Sequence, residues 1–203
     1  MVQIYEQYPL LIKAINFINI SNKSNNLPYH GIDHLFEVMR FCYVTMENDD
    51  LCKESMINKK ELLIAALFHD YNHSGGKETD DVNITYAIDG VKLFYNENPV
   101  FDLDEVISLI KITQYPYTVL ESDLTLSGKI LRDSDLCYLF HDLSIVKLYS
   151  GLRSEFGNNL SEFLKNQTSF LESVNFNIER NYIMWNNLYK DIRFRELNML
   201  TNG

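Results

Sequence analysis

The chain has 203 residues, a formal net charge of −10 and an isoelectric point near 4.9. Such an acidic balance argues against a nucleic-acid duplex or an anionic membrane as the main partner, because both require basic surface. The length and a 46% share of hydrophobic residues predict a single globular domain over residues 1–203. Three cysteines without CxxC spacing, no signal peptide and no run of about 18 apolar residues predict a cytoplasmic protein with reduced thiols.

Apolar residues recur at helical spacing along most of the chain, and strand-like alternation is scarce, so the sequence predicts an all-α fold. The first predicted elements are a helix over Tyr8–Ile20, a loop over Ser21–Pro28 and a helix from Ile32 to a break at Glu47–Leu51. A central helix is predicted to begin at an Asn58–Glu61 capping box and to end at Gly75-Gly76, and the next helix to be capped by Asp80 or Asp81 and to end at Asn96–Pro99.

The second half of the chain is predicted to begin with a short helix that Asp102 and Glu105 open, followed by a loop over Gln114–Leu124. A long helix from Ser127 through Ser150 follows, and then two helices in 151–203 that are separated near Asn175–Asn177.

The central stretch is the most informative part of the sequence. Seven apolar residues from Leu62 to Phe68 run directly into His69-Asp70, and His73 follows in the same segment. Ionisable groups at the end of a buried element are costly unless something binds them. An adjacent imidazole and carboxylate are typical ligands of a metal ion.

Four of the five histidines form two pairs with a spacing of four residues, His30/His34 and His69/His73. On a helix, residues four apart lie one turn apart on the same face, where both side chains reach a common site. A single buried histidine is more often an ordinary core residue, but two such pairs favour a metal site. The fifth, His141, is interpreted as structural or surface.

Three segments of the sequence are informative together: Tyr29-His30-Gly31-Ile32-Asp33-His34-Leu35, Ala65-Ala66-Leu67-Phe68-His69-Asp70-Tyr71-Asn72-His73-Ser74-Gly75 and Arg132-Asp133-Ser134-Asp135-Leu136. In order and spacing they resemble the HD-domain superfamily of metal-dependent phosphohydrolases. Within the superfamily, the spacing is closest to the catalytic core of 3′,5′-cyclic nucleotide phosphodiesterases. The resemblance covers about residues 27–140, with the C-terminal helices over 151–200 expected to pack on this core.

The resemblance implies roles for individual residues. His34, His69, Asp70 and Asp135 match the ligands of a first metal, and Asp70 also matches the carboxylate that bridges to a second metal. His30 matches the general acid, and His73 matches a histidine near the bridging hydroxide and the phosphate. Asp133 remains the alternative to Asp135 as the last ligand. The implied cofactors are one or two divalent ions among Mn, Mg, Fe, Zn, Co and Ni, which a mixed nitrogen and oxygen ligand set does not distinguish.

The sequence departs from the phosphodiesterase pattern in three places. Gly31 stands where an Asn usually follows the acid histidine. Segment 77–83 does not match the family stretch that supplies a further Glu; Asp81 or Asn83 are candidates to replace it, although Asp81 also fits a helix cap. The C-terminal quarter shows no match to the Gln and Phe that hold the purine in the animal enzymes, so their base specificity does not transfer.

Lys77, Gln114 and Tyr117, with neighbouring Tyr115, are the candidate substrate-binding residues, because a lysine near the metals and a loop amide with aromatic rings suit a nucleotide. For each of them the ordinary alternative is a loop residue with no ligand. Trp185 is interpreted as a core residue.

The function that the resemblance implies is hydrolysis of a small nucleotide, most of all a cyclic nucleotide phosphodiester. Attack by metal-bound hydroxide would be accompanied by protonation of the departing oxygen by His30. The alternatives are a nucleoside 5′-monophosphate phosphomonoesterase and a non-catalytic module that binds a nucleotide or a protein. The sequence gives no prediction of the oligomeric state.

Overall fold

The structure is a computed structural model that describes residues 2–50, 52, 57–142 and 144–201, and within these residues it contains helices and no strand, which confirms the all-α class. The helices are α1 (Val2–Gln7), α2 (Leu10–Ser21), α3 (Ile32–Asn48), α4 (Lys59–Phe68), α5 (Asp80–Glu97), α6 (Leu103–Lys111), α7 (Leu126–Asp135), α8 (Ser144–Val146, a π turn Lys147–Leu152 and Arg153–Phe156), α9 (Leu160–Ser173) and α10 (Glu179–Met184, a π turn Trp185–Tyr189 and Lys190–Thr201). Two 3₁₀ turns, Glu121–Asp123 and Cys137–Phe140, flank α7. No helix in the described part of the chain is both long and apolar enough to cross a membrane.

Helix α4 forms the centre of the larger core. Every residue from Glu61 to Phe68 is buried, and the helix packs against α2, α3, α5, α6 and α7. A helix covered on all sides has no polar face, which explains why this stretch shows no amphipathic period. Each fully buried large side chain here contributes about 1.5–3 kcal/mol of hydrophobic free energy. This packing holds α4 in place and therefore positions His69 and Asp70, which follow it.

A second, smaller core lies under the C-terminal helices. It is built around Phe163 and Trp185, which are almost completely buried. Asp133 of α7 joins this region to the first core, because its carboxylate accepts hydrogen bonds from the backbone N–H groups of Asn177 and Ile178 and from the side-chain amides of Asn177 and Asn181. The C-terminal helices therefore pack on the motif-bearing helices through a buried, fully bonded carboxylate.

The predicted long helix from Ser127 through Ser150 is wrong. Thr125 caps α7 by accepting a hydrogen bond from the N–H of Gly128, and the helix ends at Asp135. A 3₁₀ turn follows, in which the four consecutive residues from Cys137 to Phe140 are all buried. The chain turns more tightly here, because the N–H groups of Leu139 and His141 donate to carbonyl oxygens three residues earlier, those of Leu136 and Tyr138. Leu143 lies outside the described residues, and α8 begins at Ser144.

Several predicted boundaries agree with the structure, but the predicted caps agree less well. Asp102 caps α6 by accepting from the N–H of Glu105. Asn58 precedes α4 without capping it, and its side-chain amide nitrogen donates to Glu105. Thr79, rather than Asp80 or Asp81, precedes α5. The first predicted helix, Tyr8–Ile20, is found as α2, the separation near Asn175–Asn177 falls between α9 and α10, and Leu51 of the predicted break lies outside the described residues.

Candidate active site

Two histidines and two aspartates from three different helices meet at one point. His34 lies in the first turn of α3, His69 and Asp70 follow the last residue of α4, and Asp135 is the last residue of α7. One donor atom from each of the four lies within 4.8 Å of the others. His34 and His69 are 1% exposed, so the cluster is sealed on the imidazole side.

The distances between these donor atoms fit a metal ion. His34 Nε2 lies 3.1 Å from Asp135 Oδ1 and 3.3 Å from both Asp70 Oδ2 and His69 Nε2. His69 Nε2 lies 3.3 Å from each of the two carboxylate oxygens. Neighbouring ligands around an ion with bonds of about 2.1 Å are separated by about 3.0–3.4 Å in octahedral or tetrahedral geometry. The four residues are therefore spaced as the ligands of one divalent ion.

The hydrogen bond behind His69 selects which of its nitrogens faces the cluster. His69 Nδ1 donates to the carbonyl oxygen of Ala66 at 2.9 Å, which leaves Nε2 directed at the two carboxylates. This backing bond is the arrangement that orients metal-binding histidines in proteins. His34 Nδ1 is buried without a hydrogen-bond partner among the described residues.

In the absence of a metal ion, the histidines and aspartates of the cluster have strongly shifted pKa values. Burial opposes charging of His69, but Asp70 and Asp135 outweigh it and raise the pKa of His69 well above its ordinary value. Burial likewise raises the pKa of Asp70, yet His69 and His34 hold it well below the ordinary value. The pKa of Asp135 is lowered in the same way. The carboxylates thus remain ionised, and a proton takes the place that a cation would fill.

His30 stands beside the cluster and is held by a carboxylate that the sequence analysis missed. Glu155, in the last turn of α8, accepts from the backbone N–H groups of Tyr29 and His30 at 2.5 and 3.0 Å, and its second oxygen contacts His30 Nδ1 at 2.5 Å. Burial raises the pKa of Glu155, but the bond to His30 outweighs it and lowers the pKa. Glu155 is 125 residues from His30 in the chain and lies outside every recognised motif, so no sequence signal pointed to it.

His73 lies face to face with His30, with ring centroids 3.7 Å apart. Its Nδ1 accepts from the N–H of Gly75, and Asn83 of α5 contacts its Nε2 at 3.1 Å. Burial lowers the pKa of His73 to about 4, so this ring is neutral at pH 7. Of the two candidates to replace the missing Glu, Asn83 is thus the one that reaches the site.

The helical explanation for the two histidine pairs is wrong. His30 precedes α3, and His73 lies in the turn after α4, so neither pair occupies one helix face. The turn brings His73 back toward the site instead. Asn72 adopts a left-handed φ of 59°, and its side chain accepts from the N–H of Lys23 at 2.7 Å. The histidines of each pair are therefore close to the site because the chain turns there, and not because they share one face of a helix.

A cavity of about 630 Å³ opens beside these groups and is called the main cavity below. His30, Asp70, His73 and Asp135 line it on one side. Across the cavity are aromatic and amide side chains from the 113–117 loop, α8 and α9, among them Tyr115, Tyr117, Phe163, Gln167 and Phe170. The volume falls in the range of small-molecule sites.

The predicted substrate-binding residues take different positions in the structure. Tyr117 lines the main cavity. Lys77 is exposed, and neither Lys77 nor Gln114 is among the described residues that line it. Their roles remain predictions. Asp80, considered in the sequence only as a cap, does line the cavity and accepts from the N–H of Tyr115 at 2.6 Å.

Comparison with known proteins places this geometry in a family context. Residues 29–125 match the family model of the 3′5′-cyclic nucleotide phosphodiesterase. The fold is similar to the crystal structure of a predicted HD superfamily hydrolase from an uncultured Thermotogales bacterium, with a TM-score of 0.51 and 21% identity over 84% of this chain and 97% of that one. No curated protein matches the sequence. Residues 29–125 thus resemble a phosphodiesterase core, and the fold is similar to that of an HD superfamily hydrolase. The matched core includes His30, His34 and the His69-Asp70 pair, whereas Asp135 and Glu155 follow it.

Proposed function

We propose that this protein is a metal-dependent hydrolase of nucleotide phosphodiesters, with a 3′,5′-cyclic nucleotide as the preferred class of substrate. The observation that carries the proposal is the position of His30. Glu155 holds His30 through its backbone N–H and its Nδ1, and holds the preceding residue through the N–H of Tyr29. His30 lies next to four donor atoms spaced for a cation and on the wall of a cavity of nucleotide size. An oriented acid beside a cation site suits cleavage of a P–O bond to an alkoxide leaving group.

The charge of the main cavity favours a diester over a monoester. Three carboxylates, Asp70, Asp80 and Asp135, line it, whereas no Lys or Arg is among its described lining residues. A phosphodiester carries one negative charge, but a phosphomonoester carries nearly two at neutral pH and would need more positive charge than one cation site supplies. The cavity therefore disfavours nucleoside monophosphates and polyphosphates as substrates.

The ligand set fits a divalent ion through His34, His69, Asp70 and Asp135. When bound, such an ion neutralises phosphoryl charge and lowers the pKa of a coordinated water. His30 contributes a proton: Nδ1 is engaged by Glu155, so Nε2 is the nitrogen left to protonate the departing sugar oxygen. Glu155 fixes the orientation of the His30 ring through Nδ1, and neutral His73 packs flat against it.

The far wall of the main cavity suits the nucleoside. Phe170 and Tyr115 lie edge to face with centroids 6.1 Å apart, which provides apolar surface for a base. Gln167 lines the same wall, and its Oε1 is buried with no hydrogen-bond partner among the described residues. A buried amide oxygen without a partner is costly, and a hydrogen bond accepted from a polar ligand group would remove that cost.

The proposal is tested by a hydrolysis screen of cyclic nucleotides, cyclic dinucleotides and nucleoside monophosphates with Mn²⁺ or Mg²⁺. We expect wild type to cleave a cyclic nucleotide in preference to any monophosphate. Asp70→Ala should abolish turnover of every phosphoester, because it removes a metal ligand. Equal activity of Asp70→Ala and wild type would show that this site performs no catalysis, which favours a non-catalytic binding module. Preference for monophosphates would favour the phosphomonoesterase alternative instead.

A further inference from the structure

A second cavity, here called the rear cavity, has a volume of about 600 Å³ and is separate from the four-donor cluster. It lies between the 25–33 segment and the start of α8. Tyr29 and Tyr138 line both cavities, so their rings form the partition between them. The two rings meet edge to face with centroids 5.4 Å apart. None of the four candidate metal ligands lines the rear cavity.

The charged groups of the rear cavity are mainly acidic. Asp33, Glu37 and Asp142 line it, against Lys147 as the one ammonium group among its described lining residues. Lys147 is already paired with Glu37, and His141 lies 4.0 Å from the other oxygen of Glu37. Burial lowers the pKa of His141, which keeps this imidazole neutral at pH 7. The unbalanced charge is therefore that of Asp33 and Asp142, and it is negative.

A second observation indicates that the rear cavity is a place for a ligand. Ser144 lines it and is 1% exposed, yet its Oγ has no hydrogen-bond partner among the described residues. A buried hydroxyl group without a partner is destabilising and uncommon in folded proteins. Apolar side chains of Leu27, Pro28 and Ile32 line the cavity nearby, so it offers both an apolar surface and a small set of polar groups.

We propose that the rear cavity is a binding site for a small organic amine. The ammonium group would be attracted by the carboxylates at Asp33 and Asp142, the apolar body would lie on the Leu27–Pro28 surface, and the Ser144 hydroxyl would gain a partner. The site adjoins the candidate catalytic groups through the Tyr29 ring, which stacks on His34 and meets His30 edge-on at 4.7 Å. The inference does not depend on the proposed hydrolysis, because it concerns different residues and is tested by binding.

The experiment uses putrescine as the probe and 1,4-butanediol, which has the same length without charge, as its neutral counterpart. Binding is followed by calorimetry and by NMR of the wild-type chain. We expect saturable binding of putrescine with a dissociation constant on the order of 0.1–1 mM, and at least tenfold weaker binding of the diol. Resonances of Ser144, Lys147 and Tyr29 should shift on titration.

Three variants separate a specific site from general attraction to an acidic protein. Val146→Trp fills the mouth of the cavity from an exposed position and should weaken binding at least tenfold. Ser144→Ala should weaken it about threefold to tenfold while raising the midpoint of thermal unfolding, since it removes an unpaired buried hydroxyl. Asp142→Asn should weaken it about threefold or more, whereas Asp104→Asn on α6 removes the same charge outside both cavities and should not.

Three results would overturn the inference. They are the absence of saturable putrescine binding, equal binding of the diol, and equal effects of Asp142→Asn and Asp104→Asn. Unchanged binding in a folded Val146→Trp variant would place any bound amine elsewhere. Loss of phosphoester hydrolysis in the screen above would leave these binding results unaffected, so the two proposals fail independently.

Discussion

In the proposed mechanism Glu155 acts through His30, so its substitution should have kinetic effects that distinguish positioning of His30 from loss of folding. Glu155→Gln keeps an oxygen for the two backbone N–H groups but replaces the negative charge beside His30 Nδ1. We expect kcat for a cyclic nucleotide to fall about 10- to 100-fold with KM little changed, and His30→Ala to lose about 10²–10⁴-fold.

The matched control is a substrate whose leaving group needs no acid. Bis(p-nitrophenyl) phosphate releases a stabilised phenolate, so both variants should retain its hydrolysis within about tenfold of wild type. Steady-state kinetics on the two substrates measure the contrast. An equal loss on both substrates would mean that the variants damage the site as a whole and that His30 does not act as the acid.

Asp133 and Asp135 are two positions apart on α7 and have different surroundings, which makes them a natural pair for comparison. Asp135→Asn should lower the bound divalent metal, measured by elemental analysis, and should lower the thermal midpoint of the metal-free chain less than Asp133→Asn does. Asp133→Asn should retain the metal but cost about 2–4 kcal/mol of unfolding free energy, because it disturbs four hydrogen bonds to a buried carboxylate. The reverse outcome would make Asp133 the ligand.

At the scale of elements, α7 supports the site on three sides. Asp135 faces the donor cluster, Asp133 binds the start of α10, and Arg132 holds the loop before α7. Arg132 Nε donates to the carbonyl of Ile112 at 2.7 Å, and its terminal nitrogen donates to that of Val119 at 2.9 Å. Its guanidinium also lies 4.1 Å from the ring centroid of Tyr117, which lines the main cavity. One short helix thus positions residues of both the candidate cation site and the wall opposite it.

Arg132→Lys is expected to affect substrate binding more than the chemical step. Lysine retains the charge but cannot bridge two carbonyls and lie flat on Tyr117 at the same time. We expect KM for the nucleotide to rise about threefold to tenfold with kcat within threefold, and stability to fall by about 2–4 kcal/mol. Arg40→Lys, at an exposed position of α3, should change neither quantity. A fall in kcat alone would contradict the positioning of Tyr117.

The sequence predicted the all-α fold class and several helix boundaries, because both depend on the spacing of nearby residues. It could not predict which residues from distant segments contact each other. The His69-Asp70 pair was found because it ends an unusually apolar run, and Asp102 because capping is local. Glu155 was missed because its partners are more than a hundred residues away, and the long helix was predicted because Leu131, Asp135 and Leu139 satisfy a helical spacing. The burial of all four residues after Leu136 depends on the C-terminal core, which no local pattern encodes.

At the scale of the whole molecule, metal binding, protonation and folding are linked through the cluster between α3, α4 and α7. In the metal-free chain, the pKa of His69 is raised well above its ordinary value: burial opposes the charge, and Asp70 and Asp135 outweigh burial. The pKa of His34 is raised for the same reason. The stabilisation from these protonated imidazoles is fully present below about pH 6.5, the ordinary value in the unfolded chain, and is lost as pH rises through the folded pKa.

A divalent ion must displace those protons, since His69 Nδ1 already donates to Ala66 and only Nε2 is left to bind the ion. We therefore expect Mn²⁺ binding at pH 7 to release between about one and two protons, and its apparent affinity to rise about tenfold per pH unit for each proton released. Calorimetric titration in PIPES, HEPES and Tris, which differ in ionisation enthalpy, measures the number released. The metal-loaded chain should also keep its thermal midpoint at alkaline pH, where the metal-free chain loses stability. Binding without proton release at pH 7 would mean that the ion does not bind at His34 and His69.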